Sequence, residues 1–299
     1  MSYKFIDLFA GIGGFHAAFE ELGAECVFAS EWDPYARLTY IKNYVDCPNG
    51  LPEEKFVGDI TKVNKEDIPD FDILCAGFPC QPFSQAGQKL GFEDRRGNLF
   101  FEIAEIVKVK KEQGKAPGAL FLENVQHLLK HDNERTINTI REILRDVLGY
   151  RIFEFKVRAS HHGLPQHRPR VFIIAMLDHE SVIEQPLPKD LVFTISDVWH
   201  AYPYLDRSIG YTLRVGGKSS PIDDRRNWDG YLVNGEVRRL EPRQGVWMQG
   251  FPLKFDFPKG MSKAQQMKQL GNSVAVWAVR DYGQLIIDAL DKSKRNSQG

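Results

Sequence analysis

The chain has 299 residues, which is enough for one large domain or for a large domain and a small one. Its hydrophobic fraction of 42% is ordinary for a globular protein, and because no apolar run approaches the length of a membrane span we expect no membrane association. The formal net charge of −1 does not favour nucleic-acid binding, but locally basic stretches within 151–170 and 207–243 leave it open.

Cysteine spacing and the N-terminal sequence bear on cellular compartment. The four cysteines show no Cys-x-x-Cys pair, which argues against a zinc site and against a disulfide framework. The chain begins with an apolar strand pattern rather than a signal peptide. We therefore expect a cytoplasmic protein without a bound metal.

Apolar runs alternate with amphipathic stretches through the first 176 residues. The predicted strands lie at 3–8, 25–30, 71–76, 119–123, 150–157 and 170–176, and the predicted helices lie at 13–22, 34–43, 99–110 and 134–147. This alternation predicts an α/β fold in which helices cover both faces of a doubly wound, mainly parallel sheet.

The sequence changes character near residue 178. From there to residue 260 it is rich in proline and glycine, with short β-like pieces at 211–215 and 230–233. A helical pattern returns at 263–267 and 274–290. We therefore predict a large domain formed by 1–186 and 261–299, and a smaller, irregular, β-rich domain at 187–260.

Ligand-type residues follow three successive strand segments. Gly11 and Gly13 form a turn after the first strand, Glu31 closes the second, and Asp59 closes the third. The Gly-x-Gly-x-x-Gly spacing of a nicotinamide dinucleotide site is absent. Because ligands of open α/β sheets bind outside the carboxyl ends of the strands, these residues predict a nucleoside-like ligand, on which Trp32 could stack unless it fills the core.

Cys80 stands in the run Gly-Phe-Pro-Cys-Gln-Pro-Phe-Ser, straight after an apolar strand. A thiolate is the strongest side-chain nucleophile, although a cysteine at a strand end can equally be a buried structural residue. Glu123 closes the strand at 119–122 and should face the same crevice. Arg168 and Arg170, at alternate positions, could hold a carboxylate or a phosphate, or be surface charges.

Taken together and in order, these runs resemble the cytosine-C5 DNA methyltransferases, particularly the bacterial restriction-modification enzymes of the HhaI-like type. The matching segments cover nearly the whole chain and include 5–14, 31–33, 58–60, 77–81, 97–100, 123–125, 166–170, 239–243, 249–252 and 269–274. One departure is Leu270, where many members have phenylalanine.

The resemblance implies a DNA (cytosine-5-)-methyltransferase on an S-adenosylmethionine-dependent, Rossmann-like fold. It assigns attack on cytosine C6 to Cys80, contact with N3 and the exocyclic amine to Glu123, and the orientation of Glu123 or of the base to Arg168 and Arg170. S-adenosyl-L-methionine would be converted to S-adenosyl-L-homocysteine without a metal. The implied cofactor-binding residues are Phe9, Gly11, Gly13, Glu31, Trp32, Asp59, Ile60, Pro79, Leu99, Asn272 and Ser273.

The same resemblance implies that double-stranded DNA is the partner and that the target cytosine is flipped out of the duplex. The segment 81–97 would close over the base, and 187–260 would recognise the target sequence. The implied DNA-binding residues are Gln81, Ser84, Arg95, Thr212, Arg214, Gly217, Arg225, Arg226 and Asn227. We expect a monomer, with a cognate restriction endonuclease acting on the same site as a possible partner.

Two other functions share these residues. An RNA cytosine methyltransferase would use the same fold, but the Gln-Pro-Phe-Ser run after Cys80 and the long variable region favour DNA. A DNA-binding protein without activity would not need Cys80, Glu123, Arg168 and Arg170 together.

Overall fold

The computed structural model describes residues 2–79, 99–201, 207–216 and 219–296. A seven-stranded sheet organises most of these residues. Its strands are β1 (Lys4–Leu8), β2 (Glu25–Ser30), β3 (Phe56–Val57), β4 (Ile73–Gly77), β5 (Ala119–Val125), β6 (Arg151–Arg158) and β7 (Pro169–Met176). A separate hairpin pairs β8 (Gly230–Val233) with β9 (Glu236–Arg239).

The strand order across the sheet is β3-β2-β1-β4-β5-β7-β6. The five strands from β3 to β5 are parallel, whereas β7 runs antiparallel to both β5 and β6. The order reverses between β1 and β4, and a reversal of this kind opens a crevice at the carboxyl ends of the strands. The mainly parallel α/β fold predicted from the sequence is confirmed.

Eight α-helices are assigned within the described ranges. They are α1 (Gly14–Glu21), α2 (Pro34–Tyr40), α3 (Leu99–Glu112), α4 (Arg135–Glu142), α5 (Ile195–Trp199), α6 (Pro242–Gln249), α7 (Lys263–Asn272) and α8 (Val276–Asn296). Helices α2 and α4 continue into π-helical turns at Ile41–Val45 and Ile143–Val147. Short 3₁₀ turns lie at Glu53–Lys55, Ile60–Lys62, Lys65–Asp67, Gln126–Lys130 and Ala159–His161.

Both faces of the sheet are buried. Phe121 of β5 belongs to a core shared with α1 and α8, whereas its neighbours Leu120 and Leu122 belong to a second core shared with α3 and α4. Successive side chains of a strand point to opposite faces, so a strand covered on both sides needs an unbroken apolar run. The run at 119–122 therefore reflects helices on both faces of the sheet.

The sequence pattern assigned no helix to the region 178–260, where two helices, α5 and α6, lie. Helix α5 begins with a capping box in which Thr194 and Asp197 exchange hydrogen bonds. The Thr-x-x-Asp spacing was the available signal. The predicted β-like piece at 211–215 forms no strand, whereas the piece at 230–233 is strand β8.

In the part of the chain that the structure describes, no helix is both long and apolar enough to span a membrane.

Tyr282 of α8 fixes the C-terminal helix to the sheet and provides a test of this packing. Its ring centroid lies 5.0 Å from Phe155 and 5.2 Å from Phe172, and its buried hydroxyl has no hydrogen-bond partner among the described residues. Tyr282→Ala should lower the free energy of unfolding by about 3–5 kcal/mol, because it leaves a cavity between helix and sheet.

The matched variant Tyr282→Phe removes only the unpaired hydroxyl and should leave stability unchanged or slightly higher. Urea unfolding of both variants checks the pair. A large loss in Tyr282→Phe would show that the hydroxyl has a partner.

Candidate active site

A cavity of about 830 Å³ opens at the carboxyl ends of the parallel strands. It is lined by residues that follow β1 to β5, together with the last residues of α7. The predicted site residues on its wall are Phe9, Gly11, Glu31, Trp32, Asp59, Ile60, Pro79, Leu99, Glu123, Arg170 and Asn272. Residues distant in sequence therefore converge here because the strands on which they depend end at one edge of the sheet.

Glu31 braces the glycine turn after β1. Its Oε2 accepts a hydrogen bond from the Gly11 amide at 2.7 Å, and its Oε1 accepts one from the Asp33 amide at 2.7 Å. Burial raises the pKa of Glu31, and the two backbone donors oppose that rise. The carboxylate thus has two fixed partners and still forms part of the cavity wall.

The glycine turn has left-handed backbone at several positions. Phe9, Gly11 and Gly13 have φ values of 55°, 57° and 80°. Gly13 is not on the cavity wall. A Cβ there would lie 2.1 Å from the Tyr44 ring, so Gly13 is needed for close packing of the turn rather than for contact with the cavity.

Trp32 and Asp59 lie on the same wall. Trp32 is 80% exposed, which excludes the alternative in which it fills the core. Asp59 Oδ1 accepts hydrogen bonds from the hydroxyl of Thr61 at 2.8 Å and from its amide at 3.1 Å, and these contacts lower the pKa of Asp59. The wall therefore combines an accessible aromatic face with an ionised acceptor.

Glu123 and Arg170 form an ion pair on the cavity wall. Arg170 Nε lies 2.7 Å from Glu123 Oε1, and both side chains are largely buried. Glu123 is near the end of β5 and Arg170 is near the start of β7, which runs antiparallel beside it. The pair places a fixed carboxylate on the same cavity as Glu31.

Asn124 was not singled out as a site residue. Its buried side-chain amide donates a 2.7 Å hydrogen bond to the carbonyl of Phe78, and so holds the backbone that leads into Pro79. The polar pair Glu123-Asn124 at the end of an apolar strand was the signal in the sequence. Cys80, Gln81, Ser84 and Arg95 follow Pro79 but lie outside the described residues, as does Gly217.

Arg168 does not reach the cavity. It is 1% exposed and donates through Nη1 to the Leu213 carbonyl at 3.2 Å and through Nη2 to the carbonyls of Gly271, at 3.0 Å, and Ser273. Burial, and then the charge of Arg170, lower the pKa of Arg168 well below its usual value. The expectation that Arg168 touches Glu123 or a base is therefore wrong, because its donors are directed to backbone carbonyls behind the wall.

Ser273 also lies behind the cavity wall. Its side chain is buried, and its carbonyl is one of the acceptors of Arg168. The neighbouring Asn272 is on the wall itself.

The predicted DNA-binding residues differ in accessibility. Arg214 and Arg225 are exposed, and Arg226 is exposed but paired with Asp224 at 2.8 Å. Thr212 Oγ1 accepts a 3.1 Å hydrogen bond from the Arg168 amide. Asn227 is buried, and its side chain bonds to both backbone groups of Gly230, so the structure places it inside the fold rather than at a surface.

Within 2–79, 99–201, 207–216 and 219–296, no cluster of three or more His, Cys, Asp or Glu side chains has a geometry that could hold a metal ion.

The different environments of Arg168 and Arg170 can be tested by measuring the free energy of unfolding of two variants. Arg168→Met should lower the free energy of unfolding by about 3 kcal/mol or more, because three buried carbonyls lose a donor. Arg170→Met, which leaves Glu123 facing an open cavity, should cost about 1–2 kcal/mol. Chemical denaturation of both variants measures which substitution lowers the free energy of unfolding more. Equal losses would contradict the conclusion that Arg168 is buried among backbone carbonyls whereas Arg170 faces the cavity.

Comparison with known proteins identifies the family. The sequence model for the C-5 cytosine-specific DNA methylase matches residues 3–200 and 200–288. The chain is 38% identical to the Type II methyltransferase M.HpaII of Haemophilus parainfluenzae, over 96% of this chain and 90% of that protein. It is 36% identical to the Type II methyltransferase M.HhaI of Haemophilus parahaemolyticus, over 91% of this chain and 90% of that protein.

Solved structures share the fold at lower identity. A DNMT2 mutant of Spodoptera frugiperda superposes with a TM-score of 0.71 at 19% identity, covering 96% of this chain and 100% of that one. The Dnmt2 methyltransferase of S. pombe gives 0.70 at 18% identity, covering 97% and 99%. With the family model matching nearly the whole chain, this chain belongs to the C-5 cytosine-specific DNA methylase family.

Proposed function

We propose that this enzyme of the C-5 cytosine-specific DNA methylase family transfers a methyl group from S-adenosylmethionine to C5 of a cytosine flipped out of double-stranded DNA. The observation that carries the proposal is the single cavity on which the Glu123–Arg170 ion pair, Glu31 and Pro79 all lie. A methyl donor and a base bound in this cavity would meet beside Cys80, the residue after Pro79.

The cavity wall fits the methyl donor. The Glu31 carboxylate can accept hydrogen bonds from ribose hydroxyls while it keeps its two backbone donors. Trp32 offers an aromatic face to the adenine, and Asp59 offers an acceptor to its exocyclic amine. Bound S-adenosylmethionine supplies a methyl group on a positively charged sulfur and leaves as S-adenosylhomocysteine.

The chemical difficulty is that cytosine C5 is a poor nucleophile. The Cys80 thiolate forms a bond to C6, the π pair of the C5–C6 double bond shifts to C4–C5, and the π pair of C4–N3 shifts to N3. Glu123 places a proton on N3 as the adduct forms and also holds the exocyclic amine, so C5 becomes an enamine-like nucleophile. S-adenosylmethionine, held by Glu31, Trp32 and Asp59, would supply the methyl group that C5 takes up, and its sulfur would keep the electron pair of the bond to that methyl group. Return of the N3 proton to Glu123 and loss of the C5 proton to water restore the C5–C6 double bond and expel Cys80 as a thiolate.

Arg170 serves this chemistry by holding Glu123. An arginine–carboxylate contact at 2.7 Å fixes the orientation of the Glu123 carboxylate toward the base. Arg168 does not contact Glu123. It holds the backbone of residues 213, 271 and 273 behind the cavity wall.

Target recognition belongs to the segment 187–260, which forms the smaller domain in this proposal. Arg214 and Arg225 are its exposed candidates for guanine contact, because arginine pairs bidentately with guanine in the major groove. Gln81, Ser84, Arg95, Thr212, Gly217 and Arg226 are the further candidates for DNA contact. We propose that the enzyme acts as a monomer in the bacterial cytoplasm, as the modification partner of a restriction endonuclease.

The first test measures methyl transfer and the role of Cys80. Wild-type enzyme should transfer labelled methyl groups from S-adenosylmethionine to double-stranded DNA and not to transfer RNA, and Cys80→Ser should retain less than a few per cent of the rate, because a hydroxyl is far less nucleophilic near neutral pH. Cys47→Ser, at a partly exposed cysteine outside the cavity, is the control. Bisulfite sequencing of plasmid from expressing cells then gives the target sequence.

Duplex DNA carrying 5-fluorocytosine at that target should trap the enzyme, because fluorine at C5 cannot leave as a proton. A covalent adduct that persists in Cys80→Ser would refute the assignment of the nucleophile.

The second test concerns the methyl-donor site. Glu31→Ala should weaken S-adenosylhomocysteine binding about tenfold or more, because ribose hydroxyls and the Gly11 amide both lose an acceptor. Glu53→Ala, an exposed carboxylate away from the cavity, should bind normally. Titration calorimetry measures both, and unchanged affinity in folded Glu31→Ala would exclude this role.

A further inference from the structure

A buried polar network lies directly behind the cavity wall. It consists of the side chains of Gln166, Arg168 and Gln249, none of which is more than 1% exposed. These residues come from the turn before β7 and from the end of α6. Buried side-chain amides and guanidinium groups are costly unless their hydrogen bonds are made, so their partners indicate what the network holds in place.

One side of the network holds the backbone of Leu213. Gln166 Oε1 accepts from the Leu213 amide at 3.0 Å, and Arg168 Nη1 donates to the Leu213 carbonyl at 3.2 Å. The Arg168 amide also donates to Thr212 Oγ1. Both backbone groups of Leu213 are therefore fixed from the same turn, immediately before the exposed residues 214–216.

The other side holds the segment 270–273, two residues of which line the cavity. Gln249 Nε2 donates to the Leu270 carbonyl at 2.6 Å, and Arg168 Nη2 donates to the carbonyls of Gly271 and Ser273. Gln166 Nε2 closes the network by donating to Gln249 Oε1 at 3.3 Å. One guanidinium thus bonds simultaneously to residue 213 and to the cavity-wall segment.

The two segments also touch directly. A Cβ added to Gly271 would lie 2.7 Å from the carbonyl carbon of Arg214, so the backbones are in contact and only glycine fits. A displacement of 213–214 cannot leave 270–273 in place, because close-packed backbone has no slack and the network bonds both.

The conformation of Arg168 adds a second sign of constraint. Its φ of 29° is in the left-handed region that non-glycine residues rarely adopt, and its Nε is buried without a partner in the described structure. Strained backbone and an unpaired buried donor both cost stability, and features of this kind cluster at functional sites.

We propose that Gln166, Arg168 and Gln249 are positioning residues that couple DNA recognition to methyl-donor binding. Because 212–216 and 270–273 share these hydrogen bonds and must shift together, DNA that favours one position of 212–216 favours the matching position of 270–273 beside the methyl donor, and the reverse holds by linkage. This inference rests on the proposed function, which assigns DNA to 187–260 and the methyl donor to the cavity.

The test measures binding of S-adenosylhomocysteine, which cannot react, in the absence and presence of saturating duplex that carries the sequence found by bisulfite sequencing. For the wild-type enzyme we expect the duplex to tighten binding at least fivefold, within the usual range of coupling between sites. Gln249→Met fills the same space but cannot donate to Leu270 or Ser273, and it should reduce the effect to less than twofold.

The control is Gln244→Met, the same substitution on the same helix. The side-chain hydrogen bonds of Gln244 go to the Glu241 amide and the Val198 carbonyl and not to 212–216 or 270–273, so the coupling of Gln244→Met should equal that of the wild type. Coupling is a ratio of affinities, so it separates this role from a general loss of stability or of donor affinity. Wild-type coupling below twofold, or full coupling in Gln249→Met, would overturn the inference.

Hydrogen–deuterium exchange of the wild-type enzyme gives an answer even if Gln249→Met does not fold. S-adenosylhomocysteine alone should slow amide exchange in 212–216 as well as in 270–273. Protection confined to residues on the cavity wall would refute the coupling. A wild-type enzyme that transfers no methyl group to DNA would instead refute the proposed function, and the inference with it.

Discussion

The antiparallel direction of β7 is the constraint on which the site depends. In a fully parallel sheet the start of a strand lies at the edge opposite the carboxyl ends, so Arg170 would be far from Glu123. Because β7 runs against β5, residue 170 pairs with residue 125 and its side chain reaches the carboxylate two residues away. The antiparallel direction of β7 in a mainly parallel sheet therefore places the Arg170 guanidinium at the edge where the cavity opens.

The same turn at 166–170 serves both sides of the cavity wall. Arg170 points to the cavity and holds the carboxylate, whereas Gln166 and Arg168 point behind it and hold backbone. The chain leaves the sheet at β7, passes through 187–260 and returns through α7 and α8. The buried polar contacts attach both the outgoing and the returning segments to the edge of the sheet at which the cavity opens.

The part of the cavity wall that contains Glu31 depends on a different set of contacts. Glu31 accepts amides from the turn after β1 and from the start of α2, so one carboxylate sets the spacing between two strand ends. Its burial is tolerated because backbone donors compensate part of the desolvation. A group fixed in this way is ready for a ligand before the ligand arrives, which lowers the cost of ordering on binding.

The sequence predicted the parts of the fold whose signals are local. Strand β2 and the start of α2 follow from apolar runs and from Asp33-Pro34, and the convergence of residues 11, 31, 59 and 123 follows from the rule for parallel strands. The motif order indicated the family. Helix α5 was missed because its five residues are too few to show a helical hydrophobic period, although the Thr-x-x-Asp spacing of its capping box is present in the sequence.

What the sequence by itself could not determine is the direction in which alternate arginines point. Arg168 and Arg170 are the same residue type at alternate positions, and both were expected to orient Glu123 or the base. The tertiary structure separates them, because the left-handed backbone at Arg168 and the carbonyls of residues 213, 271 and 273 direct one guanidinium behind the wall while β7 presents the other to the cavity. The sequence determined which elements and residue types are present. Hydrogen-bond partners more than 40 residues away, which no local pattern encodes, decided which arginine faces the cavity.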